Sequence, residues 1–351
     1  MLWALLLSRP KFLPRLEACT LRRRDFLALL SAATATAYAP SDVAAQDPQA
    51  PVNNFRFVAF GDMGTGDSNQ LSLANGMVAY HSQRPFDTAL MLGDNIYPNG
   101  SQGLFKDKFE RPYAELLKRD IRFYAVLGNH DVRQGLKGQI NYPNFNMGGK
   151  PYYSFVKGNG LVEFFALDST NMDRQQVGWL GEALAASRAA WKIAYFHHPI
   201  YSSGITHGSD TKLRAMIEPL LVKHGVVAAL SGHDHIYERT KPQQGVQYFV
   251  SGTGGQLRKG DIDRRTPFFE TGNDKVNSYM SFDATADSLS YSALDAAGHI
   301  LDNGSLARAY CKPAGVALVG EGLNSTLFGK KNRHEDRSEG APIVCATQAA
   351  S

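Results

Sequence analysis

Five short apolar runs in this chain each end at a motif rich in oxygen and nitrogen donors, and that repetition limits the possible folds more than any other feature. Residues 55–60 lead into Gly61-Asp62-Met63-Gly64, 88–92 into Gly93-Asp94-Asn95-Ile96-Tyr97, and 123–127 into Gly128-Asn129-His130-Asp131. Residues 192–196 lead into His197-His198-Pro199, and 226–230 into Gly232-His233-Asp234-His235. Such runs read as buried strands, and 162–167 adds a sixth. Helical spacing of apolar residues at 70–81, 105–118, 175–187 and 211–224 separates several of them. Strand and helix in alternation predict an α/β sheet. In such sheets the carboxyl ends of strands gather residues that are remote in sequence, so the five motifs should meet at one edge. Beyond residue 252 the pattern changes to alternating segments at 280–283, 289–292 and 299–301, expected to be antiparallel and to extend a second sheet.

Each motif alone is weak, because Gly-Asp after a strand is commonly a turn or a helix cap. Together they offer seven candidate metal ligands: Asp62, Asp94, Tyr97, Asn129, His197, His233 and His235. That set can hold two ions. Extended backbone through His233-Asp234-His235 would turn both imidazoles to one face, so each could serve a different ion. Asp94 is the natural bridge, since one carboxylate can give an oxygen to each. All donors are oxygen or nitrogen, which disfavours soft ions and iron-sulfur clusters.

Two details narrow this further. The common dinuclear phosphoesterase pattern begins Asp-x-His, but Gly64 stands where that His would be, and a tyrosine, Tyr97, follows Asp94 by three positions. With these residues the chain closely resembles the purple acid phosphatases of the calcineurin-like metallophosphoesterase superfamily, in their small, single-domain form. The likeness runs from Phe55 to about Gly255 and includes Leu167-Asp168-Ser169, Trp179-Leu180 and Ser251-Gly252-Thr253-Gly254-Gly255. It implies a four-layer αββα sandwich, two mixed sheets flanked by helices. It assigns Asp62, Asp94, Tyr97 and His235 to a first metal, and Asp94, Asn129, His197 and His233 to a second. The first set, with two carboxylates and a phenolate, suits Fe(III); the second suits Fe(II), Zn(II) or Mn(II). His130 and His207 match the family's substrate-side histidines, His207 as donor of a proton to the leaving group or as a phosphate contact. The implied activity is acid hydrolysis of phosphate monoesters by attack of a metal-bound hydroxide, without a phosphoenzyme. A phosphodiesterase acting on nucleotides or lipid head groups is the alternative on the same fold, and a non-catalytic scaffold is disfavoured by the complete ligand set. His198, Asp131 and Asp234 are expected to support neighbouring groups, the two carboxylates by orienting imidazoles. His81, His224, His299 and His334 lie outside every motif and are read as surface residues.

The remaining sequence speaks to location. Arg22-Arg23-Arg24-Asp25-Phe26-Leu27 and the apolar run 28–37 resemble a twin-arginine export signal, with cleavage expected after Ala45. The run is far shorter than the roughly 20 residues of a bilayer span, so no stable membrane anchor is expected. Residues 1–45 hold six of the 37 Lys/Arg and three of the 33 Asp/Glu, which leaves 31 and 30 in the rest. That balance gives no support for nucleic-acid binding. The expected partners are a small phosphate ester and the twin-arginine export machinery, and the expected location is periplasmic or secreted. A catalytic domain over residues 52–310 precedes a polar tail, 311–351, in which Cys311 and Cys345 are expected to form a disulfide.

Overall fold

The computed structural model describes residues 54–307. The expected export signal, the tail and the Cys311–Cys345 pairing lie outside the described residues, as does His334. In chain order the strands are β1 (Phe55–Phe60), β2 (Thr88–Met91), β3 (Arg122–Ala125), β4 (Tyr153–Lys157), β5 (Val162–Ala166), β6 (Trp191–Tyr195) and β7 (Ala228–Ser231). They continue with β8 (Tyr237–Thr240), β9 (Gln247–Ser251), β10 (Phe269–Asn273), β11 (Ser278–Ala284), β12 (Ser288–Asp295) and β13 (Ile300–Ala307). The α-helices are α1 (Ser68–Gln83), α2 (Ala114–Leu117), α3 (Leu136–Ile140), α4 (Arg174–Ala186) and α5 (Thr211–Lys223). Asp67, Asp173 and Asp210 start α1, α4 and α5, each carboxylate accepting from backbone N–H groups of the first turn.

Two mixed sheets stack face to face, in the orders β13-β12-β11-β1-β2-β3 and β10-β8-β9-β7-β6-β5-β4. Neighbours among β1, β2 and β3 are parallel, as are those in β5-β6-β7-β9. Alternate residues of β1 face opposite ways, and both directions are apolar. Phe57 and Ala59 pack between the sheets with Phe164, Ile193 and Phe249. Val58 and Phe60 pack outward, beneath Leu73, Ala74 and Met77 of α1. The outer face of the second sheet is covered in the same way by Leu180 and Leu184 of α4 and Leu213, Ile217 and Leu221 of α5. Each such side chain contributes about 1.5–3 kcal/mol on burial. The four layers expected from the sequence are present.

Two expectations fail. The antiparallel strands β11, β12 and β13 do not extend a second sheet; β11 pairs with β1 and completes the first one, with Phe282 stacked on Phe57 at 4.7 Å. The helix expected over 105–118 is broken into a π-helical turn, Lys106–Glu110, and the short α2. Pro112 is the cause, because it has no N–H for the Lys108 carbonyl, and Gln70 Nε2 donates to that carbonyl instead at 2.7 Å.

Candidate metal centre

All five motifs emerge at the carboxyl ends of parallel strands, from both sheets, and converge there. The backbone turns sharply at three of the candidate ligands: Asp62, Asp94 and His233 have φ of 57°, 51° and 71°. Non-glycine residues adopt this left-handed region uncommonly, Asp and His more readily than most, and such positions are frequent at functional sites. Gly93, at φ 87°, lies so near His197 that a Cβ would fall 2.6 Å from its Nδ1. Asp131 fastens two of the motifs together. Its buried carboxylate accepts from the backbone N–H of Gly128, Asn95 and Ile96 and from the side chains of Asn95 and Gln139. Burial and the charge of Asp94 raise its pKa to about 7.

The donors form two triangles. Tyr97 Oη lies 3.1 Å from Asp62 Oδ1 and 3.2 Å from His235 Nε2, and those last two atoms are 3.5 Å apart. Asn129 Oδ1 lies 3.1 Å from both His197 Nε2 and His233 Nδ1, which are 3.2 Å from each other. Asp94 sits between them, with Oδ1 3.5 Å from His197 Nε2. An octahedral ion with bonds of about 2.1 Å has edges of about 3.0 Å, so each triangle has the size of one coordination face. Each triangle holds three of the four residues that the resemblance assigns to one ion, Asp94 being the fourth in both assignments.

Protonation supports a cation in each triangle. His197 Nδ1 donates to the Leu92 carbonyl at 2.9 Å, which leaves a lone pair on Nε2 facing the amide oxygen of Asn129. Two acceptors 3.1 Å apart need something positive between them. A proton is opposed there, because burial holds the His197 pKa well below its usual value. Burial likewise lowers His233 to about 2 and His235 to about 4. On the other side burial raises Asp62 well above the carboxylate range, with the charge of Asp94 adding to it, and raises Tyr97 far above the phenol range. Burial therefore opposes charge on the histidines, on Asp62 and on Tyr97 alike. A metal ion would supply the charge that these oxygen donors could meet.

His130 and His207 flank this centre. The ring of His130 packs on Tyr97, its Nδ1 donates to the Pro98 carbonyl at 2.7 Å, and its Nε2 is 3.9 Å from Asp94 Oδ2. His207 is exposed, 4.3 Å ring to ring from His233, and lines an open cavity of about 350 Å³ with His198, Pro199 and His233. Its loop is anchored from below. Asp234 Oδ2 accepts from Ser202 Oγ at 2.5 Å and Gly208 N at 3.2 Å, and Asp261 Oδ1 accepts from Thr206 N at 3.1 Å and Thr206 Oγ1 at 2.5 Å. Asp131 and Asp234 therefore hold backbone and hydroxyls, and the expectation that they orient imidazoles is corrected. The sequence also undervalued His198. One ring nitrogen each from His197, His198 and His233 fall within 4.8 Å of one another, while His198 Nδ1 meets Ser169 Oγ at 2.9 Å. His299 is exposed as expected, beside Asp295; His81 and His224 are half-buried, His81 next to Arg119 and His224 at the end of α5.

Residues 55–237 match the calcineurin-like phosphoesterase family. Tartrate-resistant acid phosphatase type 5 of Mus musculus is 31% identical over 242 residues, covering 58% of this chain and 74% of that protein. Among solved structures, a purple acid phosphatase, PPD1, from yellow lupin (Lupinus luteus) seeds superposes with a TM-score of 0.63 at 20% identity, over 73% of this chain and 54% of that one. GAP50, described as the anchor in the inner membrane complex of Plasmodium, superposes with a TM-score of 0.64 at 20% identity, over 73% of this chain and 89% of that one. These two show the fold.

Proposed function

Because the chain belongs to the calcineurin-like phosphoesterase family, with purple and tartrate-resistant acid phosphatases as its relatives, we propose that it is a metal-dependent acid phosphatase hydrolysing phosphate monoesters. The observation that carries this reading is the pair of donor triangles with Asp94 between them. Two bound cations would neutralise the ester dianion and lower the pKa of water held there. Asp62, Asp94, Tyr97 and His235 would hold Fe(III), and Asp94, Asn129, His197 and His233 would hold Fe(II), Zn(II) or Mn(II). The Leu92 carbonyl takes the Nδ1 proton of His197, which leaves the Nε2 lone pair free to ligate an ion. His207 stands at the open cavity, where it can give a proton to the departing alkoxide, and His130 lies beside Asp94.

The leader at 1–45 and the Cys311–Cys345 pair extend the proposal to an exported, disulfide-bonded enzyme. A thiol titration of the unreduced mature protein that found two free groups would remove the disulfide. The activity is tested on purified, metal-loaded protein by comparing a phosphate monoester with a diester, beside metal analysis. Monoester turnover that falls away in Asp94→Asn supports the reading. A preference for the diester assigns the site to phosphodiesterase chemistry, and full cellular function of Asp94→Asn would turn the fold into a scaffold.

A further inference from the structure

Arg133 lies outside every motif, four residues beyond the ligand Asn129, and its side chain turns back onto the metal centre. Nη2 donates to His130 Nε2 at 3.4 Å, and Nη1 to the Pro98 carbonyl at 3.3 Å. His130 Nδ1 already donates to that carbonyl, so Nε2 carries a lone pair and can only accept from the guanidinium. Two contacts thus aim the group, while at least three of its five N–H donors stay free. Arg133 is exposed and takes part in none of the ion pairs among the described residues, so its charge is not neutralised. Two short steps, 3.4 Å to His130 Nε2 and 3.9 Å onward to Asp94 Oδ2, connect it to the bridging carboxylate. The fork therefore stands beside the centre with donors to spare.

We propose that Arg133 is a phosphate-binding residue of this site, giving a charge-assisted hydrogen bond to a non-bridging oxygen of the phosphoryl group and favouring the monoester dianion over the diester monoanion. The assignment rests on the phosphatase reading above. It puts a permanent cation beside His130, whose Nε2 is not a donor in this tautomer. A guanidinium suits the task because its planar donors match phosphate oxygens.

The test uses full-length, metal-loaded wild type, Arg133→Ala and Arg133→Lys, with inorganic phosphate as the binding probe. Hydrogen bonds to charged groups are strong enough that Arg133→Ala should weaken inhibition by phosphate on the order of 10- to 100-fold. The monoester-to-diester ratio of kcat/KM should fall with it, and Arg133→Lys should recover part of both. Metal content and visible absorption should be unchanged, which separates this role from damage to the centre. Unaltered phosphate inhibition in a normally metallated Arg133→Ala overturns the assignment. Wild type that binds no phosphate overturns the phosphatase reading, and this assignment with it.

Discussion

The backbone N–H of Tyr97 donates to the carbonyl of Gly64 at 2.9 Å, so the tyrosine that enters the centre and the side chain missing from it belong to one packing arrangement. A Cβ at Gly64 would overlap the carbonyl of Asn95, in the loop that carries Tyr97. The loop that delivers the phenol occupies the space where a histidine would begin. Gly64→Ala should therefore push this loop away, lower first-site metal content and cost about 1–3 kcal/mol of stability from overpacking. Metal analysis and thermal melting check it; an alanine variant equal to wild type in both would sink the steric coupling.

Tyr97→Phe asks a different question, because it keeps the ring against His130 and removes only the oxygen that meets Asp62 and His235. The fold should survive. A visible band from Fe(III)-phenolate should disappear, and iron retention should fall while the second triangle keeps its ion. An active wild type that is colourless and free of iron would overturn the Fe(III) assignment.

The donors were readable in the sequence because each follows a strand, and strand ends in parallel sheets are fixed by topology. β1 was legible to the residue for the same local reason. The pairing of β11 with β1 was not, since residues 55 and 284 meet through a sheet register that no local period encodes. Nor was the role of Asp131. A carboxylate beside a histidine in sequence can serve an imidazole or a backbone amide, and the turn geometry that chooses the amides exists only in the folded chain. Arg133 gains its meaning in the same way, from a turn that carries it back over Pro98.

Metal loading should release protons from oxygen ligands and not from imidazoles. Tyr97, raised far above the phenol range by burial, keeps its proton in the metal-free site, and burial shifts Asp62 in the same direction, whereas His235, lowered to about 4, and His233, lowered to about 2, are already neutral at pH 6. A raised acid must lose its proton when the ion arrives, so apparent affinity falls as pH falls. Calorimetry at pH 6 in buffers of different ionisation enthalpy should find about one or more protons released per first-site ion, and about one fewer in Tyr97→Phe. A value of zero in both proteins would contradict the protonation states described.

Glu238 offers a pH test away from the metals. Its carboxylate is buried, accepts from Ser203 N at 2.7 Å and Ser203 Oγ at 2.5 Å, and so secures the start of the loop that carries His207. Burial raises its pKa from 4.5 to about 7. The sign follows from proton binding. Between those two values the folded state holds the proton more tightly than the unfolded one, so this residue's contribution is complete below pH 4.5 and is lost as pH rises towards 7. The loss is on the order of 2–3 kcal/mol. Glu238→Gln retains an acceptor for Ser203 N–H and cannot ionise. Its melting temperature relative to wild type should therefore climb as pH goes from about 5 to 8, the direction the linkage requires. A difference that stays flat over that range would mean the carboxylate ionises in the fold without cost, through water or a rearranged Ser203.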